Sequence, residues 1–245
     1  NKYTAQFVSR FTNKPIHTLG YWFDSTLWQP IDKSIARTSV GIDESRYVIG
    51  SFQRDTEGSD LISPKLEKGP DVFCDTVERI IEENRSAVEF SATNLPPKPK
   101  GWPGPCITEP DPIPVKDVLV LLGGWRRQYV INRLETAGIE YKYIEMAPTE
   151  KLKEMYACCD LYIVSSRVEG GPQALLEAPA MKVPIISTRM GSAEFLLHPN
   201  CIFYDGQEKI HFPEPREVEE CYNIVQEYDI VKHADKYEEL LRSLI

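Results

Sequence analysis

The chain has 245 residues, 42% hydrophobic and 27% charged, which is the make-up of a folded protein with a sizeable core and excludes fibrous and disordered classes. Its net charge of −9, with no block of Lys and Arg, argues against nucleic acid as a partner. No apolar run is long enough to span a bilayer, "DVLVLL" (117–122) being among the longest.

Residues 1–45 read as a lead-in, with "YTAQFVSRF" weakly helical. From Arg46 onward, short apolar runs alternate with helical patterns. "YVIGSF" (47–52) is expected to be a strand, followed by a polar loop and the helix "PDVFCDTVERIIEEN", opened by Pro70. Residues 91–116 hold eight of the 19 prolines and read as a loop or insertion. "VLVLLGG" (118–124) is a second strand, and the helix after it stops at Gly138. "EYKYIEM" is a third strand, and "PTEKLKEMYACC" a helix with Thr149 as its expected cap. "DLYIVSS" (160–166), "VPIIST" (183–188) and "CIFY" complete the strands, with "GPQALLEAPAM" and "AEFLLH" as the intervening helices. Residues 211–245 are expected to form two surface helices. Strands that are apolar on both faces and alternate with helices predict an α/β fold: a doubly wound, Rossmann-like parallel sheet over 46–210.

The six cysteines form no CxxC, and the four histidines are scattered without a helical pair. Free buried thiols in a reducing compartment and no metal site are therefore expected. The chain opens at Asn1 rather than Met, so its start carries no targeting information.

In an open α/β sheet, ligands bind beyond the carboxyl ends of the strands. The first such junction carries Arg54, Lys65, Lys68 and Gly69, the second Arg126 and Arg127, and the fourth Arg167, Glu169, Gly170 and Gly171 before Pro172. Cations at a helix start cost about 0.3–1 kcal/mol each. Three junctions sharing that fault suggest a bound phosphate or diphosphate, although exposed Lys and Arg are common anywhere. Gly170 and Gly171 allow close approach of a ligand, and Pro172 is expected at the first helical position. Glu169 would precede the helix and Glu177 lie about a turn and a half inside it, on the order of 10 Å apart at helical rise. That separation is too wide for a shared metal and suits hydroxyl groups on either side of a phosphate bridge, as in a sugar nucleotide.

Glu169 and Glu177 within "EGGPQALLEAPAMKVPIIST" resemble the Glu-x(7)-Glu motif of the GT-B retaining glycosyltransferases, in particular glycosyltransferase family 4. "LYIVSSRVEGG", "MGSAEFL", "IGSFQRD…PKLEKGPDVF" and the hinge-like "IHTLGYWFDSTLWQPID" are similar to the segments around that motif. The resemblance implies one of the two Rossmann-like domains of a GT-B enzyme, the C-terminal donor-binding half. Residues 1–45 would then lead in from an absent N-terminal acceptor domain. It also implies transfer of a sugar from a UDP-, GDP- or ADP-linked donor to an unknown glycan, lipid or protein acceptor, with no cofactor and no metal. Glu169 would orient the sugar, and Arg54 and Lys68 would stabilise the leaving diphosphate, with Lys65 a rival for the latter place. Gly170, Gly171 and Pro172 would line the donor, Glu177 would bind the ribose and the backbone near Met146 would meet the base. Arg126 and Arg127 are candidate phosphate contacts. A cytoplasmic location is expected, either free or peripheral to a membrane through the absent half. The alternatives are a non-catalytic sugar-nucleotide binding module and a GT-B-fold sugar-nucleotide epimerase. The absence of a GxGxxG at the first junction disfavours a dehydrogenase.

Overall fold

The fold is taken from a computed structural model, which describes residues 2–17, 20–57, 60, 62–93, 117–206 and 209–243. Six parallel strands make one sheet: β1 (Tyr47–Phe52), β2 (Val118–Gly124), β3 (Tyr141–Glu145), β4 (Leu161–Val164), β5 (Ile185–Thr188) and β6 (Ile202–Phe203). Their order across the sheet is β3-β2-β1-β4-β5-β6. The chain starts in the middle, winds outward to β3, and returns to lay β4 on the other side of β1. Between β1 and β4 the winding reverses, and in open α/β sheets the strand ends at such a reversal are where ligands bind.

The helices are α1 (Lys2–Val8), α2 (Lys33–Val40), α3 (Pro70–Thr93), α4 (Gln128–Ala137), α5 (Thr149–Cys158), α6 (Ala174–Ala180), α7 (Ala193–Leu196), α8 (Pro215–Val225) and α9 (Ile230–Ser243). Successive strand residues enter opposite cores, as a pleated strand requires. Val48, Leu119, Leu121, Tyr162, Val164 and Ile185 pack in one cluster with residues of α2, α5, α6, α7 and α8. Ile49, Val120, Leu122, Leu161, Ile163 and Ile186 pack in the other, with α3 and α4. Both faces are thus covered, and the expected doubly wound parallel sheet is found.

Several expectations are corrected in detail. Helix α5 is entered from Pro148, in extended conformation at the N-cap, so Thr149 is the first helical residue and caps nothing. Residues 91–93, expected in the proline-rich loop, continue α3; the rest of that segment, with Cys106, lies outside the described residues. Helix α2 was not expected. Its ends are well signalled: the Asp32 side chain accepts from the Ile35 amide, and Gly41 adopts a left-handed conformation at φ 73°. It packs on α5 and is pinned by Arg37, which donates to the carbonyls of Cys158 and Glu44 and, at 2.6 Å, to Asp160.

Packing is also continuous across the boundary expected at residue 45. Phe23, Trp28, Ala36, Val40 and Ile42 are buried in the same core as the sheet. The boundary expected after 210 is no sharper, because Cys221 and Val225 of α8 enter that core too. Phe23 joins the two ends of the chain, its amide donating to Tyr228 and its carbonyl accepting from Ile230.

Candidate active site

The loops after β1 and β4 meet at the reversal of strand order. The Gln53 side-chain amide donates to the Lys68 carbonyl at 3.0 Å and to Ser165 Oγ at 3.3 Å. The amides of Arg167 and Val168 donate to the Glu67 carbonyl, so the 3₁₀ turn Leu66–Lys68 lies directly against the end of β4. That approach requires Gly69. It has φ 59°, and a Cβ there would overlap the carbonyl oxygen of Ser165. Arg167 fastens the same junction from outside, bidentate to Asp71 at 2.7 Å and bound to Asp205 at 2.9 Å. It is therefore a strut of the scaffold.

This scaffold brings two of the expected catalytic residues together. Lys68 Nζ donates to Glu169 Oε1, and both side chains are about one-fifth exposed, at 23% and 20%. The second carboxylate oxygen of Glu169 accepts from Ser166 Oγ at 2.9 Å. Lys65 forms its ion pair with Glu67 instead, at 3.1 Å. Of the two rival lysines, Lys68 is the one held against Glu169.

Gly170 and Gly171 follow. Tyr21, from the lead-in, lies over them. A Cβ on Gly171 would come within 2.6 Å of the Tyr21 ring and 2.8 Å of Ser192 Oγ, and one on Gly170 within 3.3 Å of the Tyr21 hydroxyl. Helix α6 starts at Ala174 with Gln173 as its N-cap. Pro172 is therefore not the first helical residue but lies one position before the cap, and Glu177 belongs to the first turn. The separation expected from helical rise does not apply between Glu169 and Glu177, because Glu169–Gln173 is not helical.

Glu177 is largely buried and accepts from the Tyr156 hydroxyl at 3.0 Å. Burial pushes its carboxyl up to about 7, a rise that the Tyr156 hydrogen bond only partly offsets. Tyr156 is itself fixed by edge-on rings of Trp28 and Phe52 and by Tyr162. The carboxylate thus stands on a rigid aromatic base.

On the β2 side the two arginines part. Arg127 is 1% exposed. It pairs with buried Asp55, and further donors reach the carbonyls of Ser51 and Gly123 and the Ser51 hydroxyl. The expectation that it meets a phosphate is corrected: the guanidinium is buried, and four of its five N–H donors are used inside the fold. Arg126, at φ 56°, stacks its guanidinium on Trp125, 4.2 Å from the ring centroid. Arg54 approaches the same ring at 5.2 Å and donates to the Thr56 carbonyl. Arg54 is thus set beside Trp125 and Arg126, and among the described residues no hydrogen bond or ion pair joins it to the Lys68–Glu169 pair. Met146 follows β3 with φ 48° and 70% exposure, an uncommon conformation for a non-glycine residue.

Sequence reasoning missed Gln53, Trp125, Tyr156, Ser166 and Tyr21 as members or supports of this site. Three of them sit beside residues it did select: Gln53 next to Arg54, Trp125 next to Arg126, and Tyr21 within the hinge-like "GYWF". Tyr156 carried no signal, because an aromatic residue late in an amphipathic helix reads as core. Among the described residues, no cluster of three metal-capable side chains includes Glu169 or Glu177.

A family model described as "Glycosyl transferases group 1" matches residues 109–227, a stretch that includes both Glu169 and Glu177. No curated protein matches the chain in sequence. Among solved structures, sucrose-phosphate synthase from Thermosynechococcus elongatus aligns with a TM-score of 0.66 at 12% identity, over 99% of this chain and 56% of that one. HepE from Anabaena, solved in complex with UDP, aligns with a TM-score of 0.59 at 17% identity, over 91% of this chain and 56% of that one. The C-terminal domain of the group 1 family protein LpcC from Francisella tularensis aligns at 0.55 and 16% identity, over 85% of this chain and 99% of that domain. The sheet and its helices thus have the GT-B-type fold of these structures, and the chain spans little more than half the length of the first two proteins. The group 1 match falls on the Glu169–Glu177 segment from which the resemblance was read.

Proposed function

We propose that the matched segment and its flanks form the donor-binding half of a retaining glycosyltransferase, which takes a sugar from a nucleotide-diphospho-sugar. The observation that carries this reading is the Lys68–Glu169 pair at the β1/β4 reversal, immediately before the glycine loop that leads to Glu177. A diphosphate would draw the Lys68 ammonium away from Glu169, and the freed carboxylate would accept hydrogen bonds from the sugar hydroxyls. Charge builds on the diphosphate as the glycosidic bond breaks. A lysine held in place before the reaction therefore favours the transition state over the ground state.

Glu177 would accept from the ribose hydroxyls, and the backbone near Met146 would meet the base. Arg54 and Arg126 would supply further positive charge from the Trp125 side. The C-terminal LpcC domain supports the assignment to a donor half, since it aligns over nearly its whole length. HepE, solved with UDP-glucose, makes a uridine donor the first one to test. Free buried cysteines accord with a reducing, cytoplasmic setting; among the described residues no helix is long and apolar enough to cross a membrane.

The test is a calorimetric titration of the chain with UDP, GDP and ADP, with and without magnesium. Selective binding of one nucleotide without metal, weakened in Lys68→Ala and Glu177→Ala, is expected. A folded chain that binds none of them, or binds equally well in both variants, overturns the assignment.

A further inference from the structure

The fold gathers, beside the outermost strand β6, side chains that the sequence scatters. His198 and Cys201 flank the turn before β6, and Glu217 and Cys221 lie one helical turn apart on α8. The ligand atoms of His198, Cys201 and Glu217 all lie within 4.8 Å of one another. Cys201 Sγ and Cys221 Sγ are 3.9 Å apart, and His198 Nδ1 is 3.6 Å from Glu217 Oε1. Around a tetrahedral zinc ion, bond lengths of about 2.3 Å to sulfur and 2.0–2.2 Å to nitrogen and oxygen place two sulfurs about 3.8 Å apart and a nitrogen–oxygen pair about 3.3 Å apart. These two spacings need only a few tenths of an ångström of adjustment, and the 4.8 Å bound on His198, Cys201 and Glu217 leaves about an ångström at most for the other pairs of that trio to close.

We propose that His198, Cys201 and Glu217, completed by Cys221, form a binding site for zinc or a similar borderline-soft divalent cation, separate from the donor site. Three features favour this over a plain hydrogen-bonded cluster. The donor set is mixed imidazole, thiolate and carboxylate, which suits zinc and is foreign to calcium or magnesium. The ion would also partner each buried anion: two thiolates and one carboxylate around a dication leave a single net negative charge, in a place where Cys201, Cys221 and Glu217 are 1%, 1% and 5% exposed. The carboxylate is also already oriented by its neighbours. Glu217 Oε2 accepts from the Glu214 amide at 2.9 Å and contacts His211 Nε2 at 2.6 Å, while Asn200 Nδ2 donates to Oε1 at 2.5 Å.

Entry would be by way of His198, whose side chain is 23% exposed. Its Nδ1 would exchange a long 3.3 Å contact from the Asn200 amide for the metal, and Cys201 and Cys221 would each release a thiol proton to solvent. The bound ion would tie the last strand of the sheet to α8. The sequence reading expected no metal, because a spacing of three residues from His198 to Cys201 and sixteen more to Glu217 matches no paired-ligand motif.

The experiment uses the whole chain, stripped with chelator and titrated with Co²⁺ and then with Zn²⁺. One equivalent of Co²⁺ is expected, giving visible bands of tetrahedral intensity and a near-ultraviolet thiolate-to-cobalt band. Zn²⁺ should displace both signals and raise the melting temperature. Cys201→Ser should abolish the thiolate band and His198→Gln should weaken Co²⁺ binding at least tenfold, with near-ultraviolet circular dichroism confirming that each variant is folded. The wild-type spectrum stands as evidence by itself if a variant does not fold. Lack of a thiolate–cobalt band in the folded wild type overturns the proposal. So does a band that survives in folded Cys201→Ser, which would place the ion on other thiols, or a Cys201–Cys221 disulfide in the protein as isolated.

Discussion

Glu177 joins a buried position to a role that needs its charge. Its carboxyl titrates near 7 in the folded chain against an ordinary 4.5. The folded state therefore holds more protons than the unfolded state between those values, and stability falls as pH rises through that window. Replacing the group by an amide removes the cost: Glu177→Gln should melt higher than the parent at pH 8, with the gain shrinking towards pH 5, as thermal melts at both values would show. Binding runs the other way, because a ribose diol donates best to the ionised carboxylate. Affinity for UDP-glucose, which has no phosphate titrating in this range, should rise between pH 6 and 8 in the parent and stay flat in Glu177→Gln. Glu177→Ala should weaken nucleotide binding by about 1–3 kcal/mol, measured by calorimetry. At this scale the sequence was legible where chemistry and position coincide. Glu169, Glu177 and Lys68 lie in the loops and first helical turns that follow the strands, where charge is costly without a purpose. Arg127 misled for the same reason: a cation after a strand reads alike whether it points towards a ligand or back to a buried Asp55, and only the packing tells the two apart.

At the scale of elements, the pairing of Arg127 with Asp55 ties β1 to the start of α4. Arg127→Met should lose about 3–5 kcal/mol, because Asp55 would stay buried without its partner; urea unfolding gives the number. Asp55→Asn combined with Arg127→Met should recover part of that loss, the mark of a pair and not of two independent sites. The strands and the principal helices could be read from their apolar periods. Helix α2 could not, although Asp32 and Gly41 mark both of its ends, because its sequence "KSIARTSV" holds few apolar residues and buries an arginine. Arg37 spends its donors on Cys158, Glu44 and Asp160, so the helix is held by ionic and polar bonds that hydrophobic periodicity does not register.

For the whole molecule, the described residues from Phe23 to Val225 share cores with the sheet, and the limits drawn from the sequence at 45 and 210 cut through packed side chains. Composition shifts mark where a chain changes character, and here the change of character falls inside one packed body. A chain lacking residues 1–45 would expose the surfaces that Phe23, Trp28, Ala36 and Val40 cover. It should lose cooperative unfolding, whereas a chain lacking only 1–17 should melt within a few degrees of the parent; circular dichroism melts of the two compare them. The backbone bonds between Phe23 and Tyr228–Ile230, and the Ser25 amide bonded to Asp229 across 204 positions, also bear on how the protein is made. Contacts between such distant parts of the sequence are slow to form, and synthesis adds only about 5–20 residues per second. For roughly ten seconds or more, therefore, the ribosome would carry a chain whose early aromatic residues wait uncovered for its last helices.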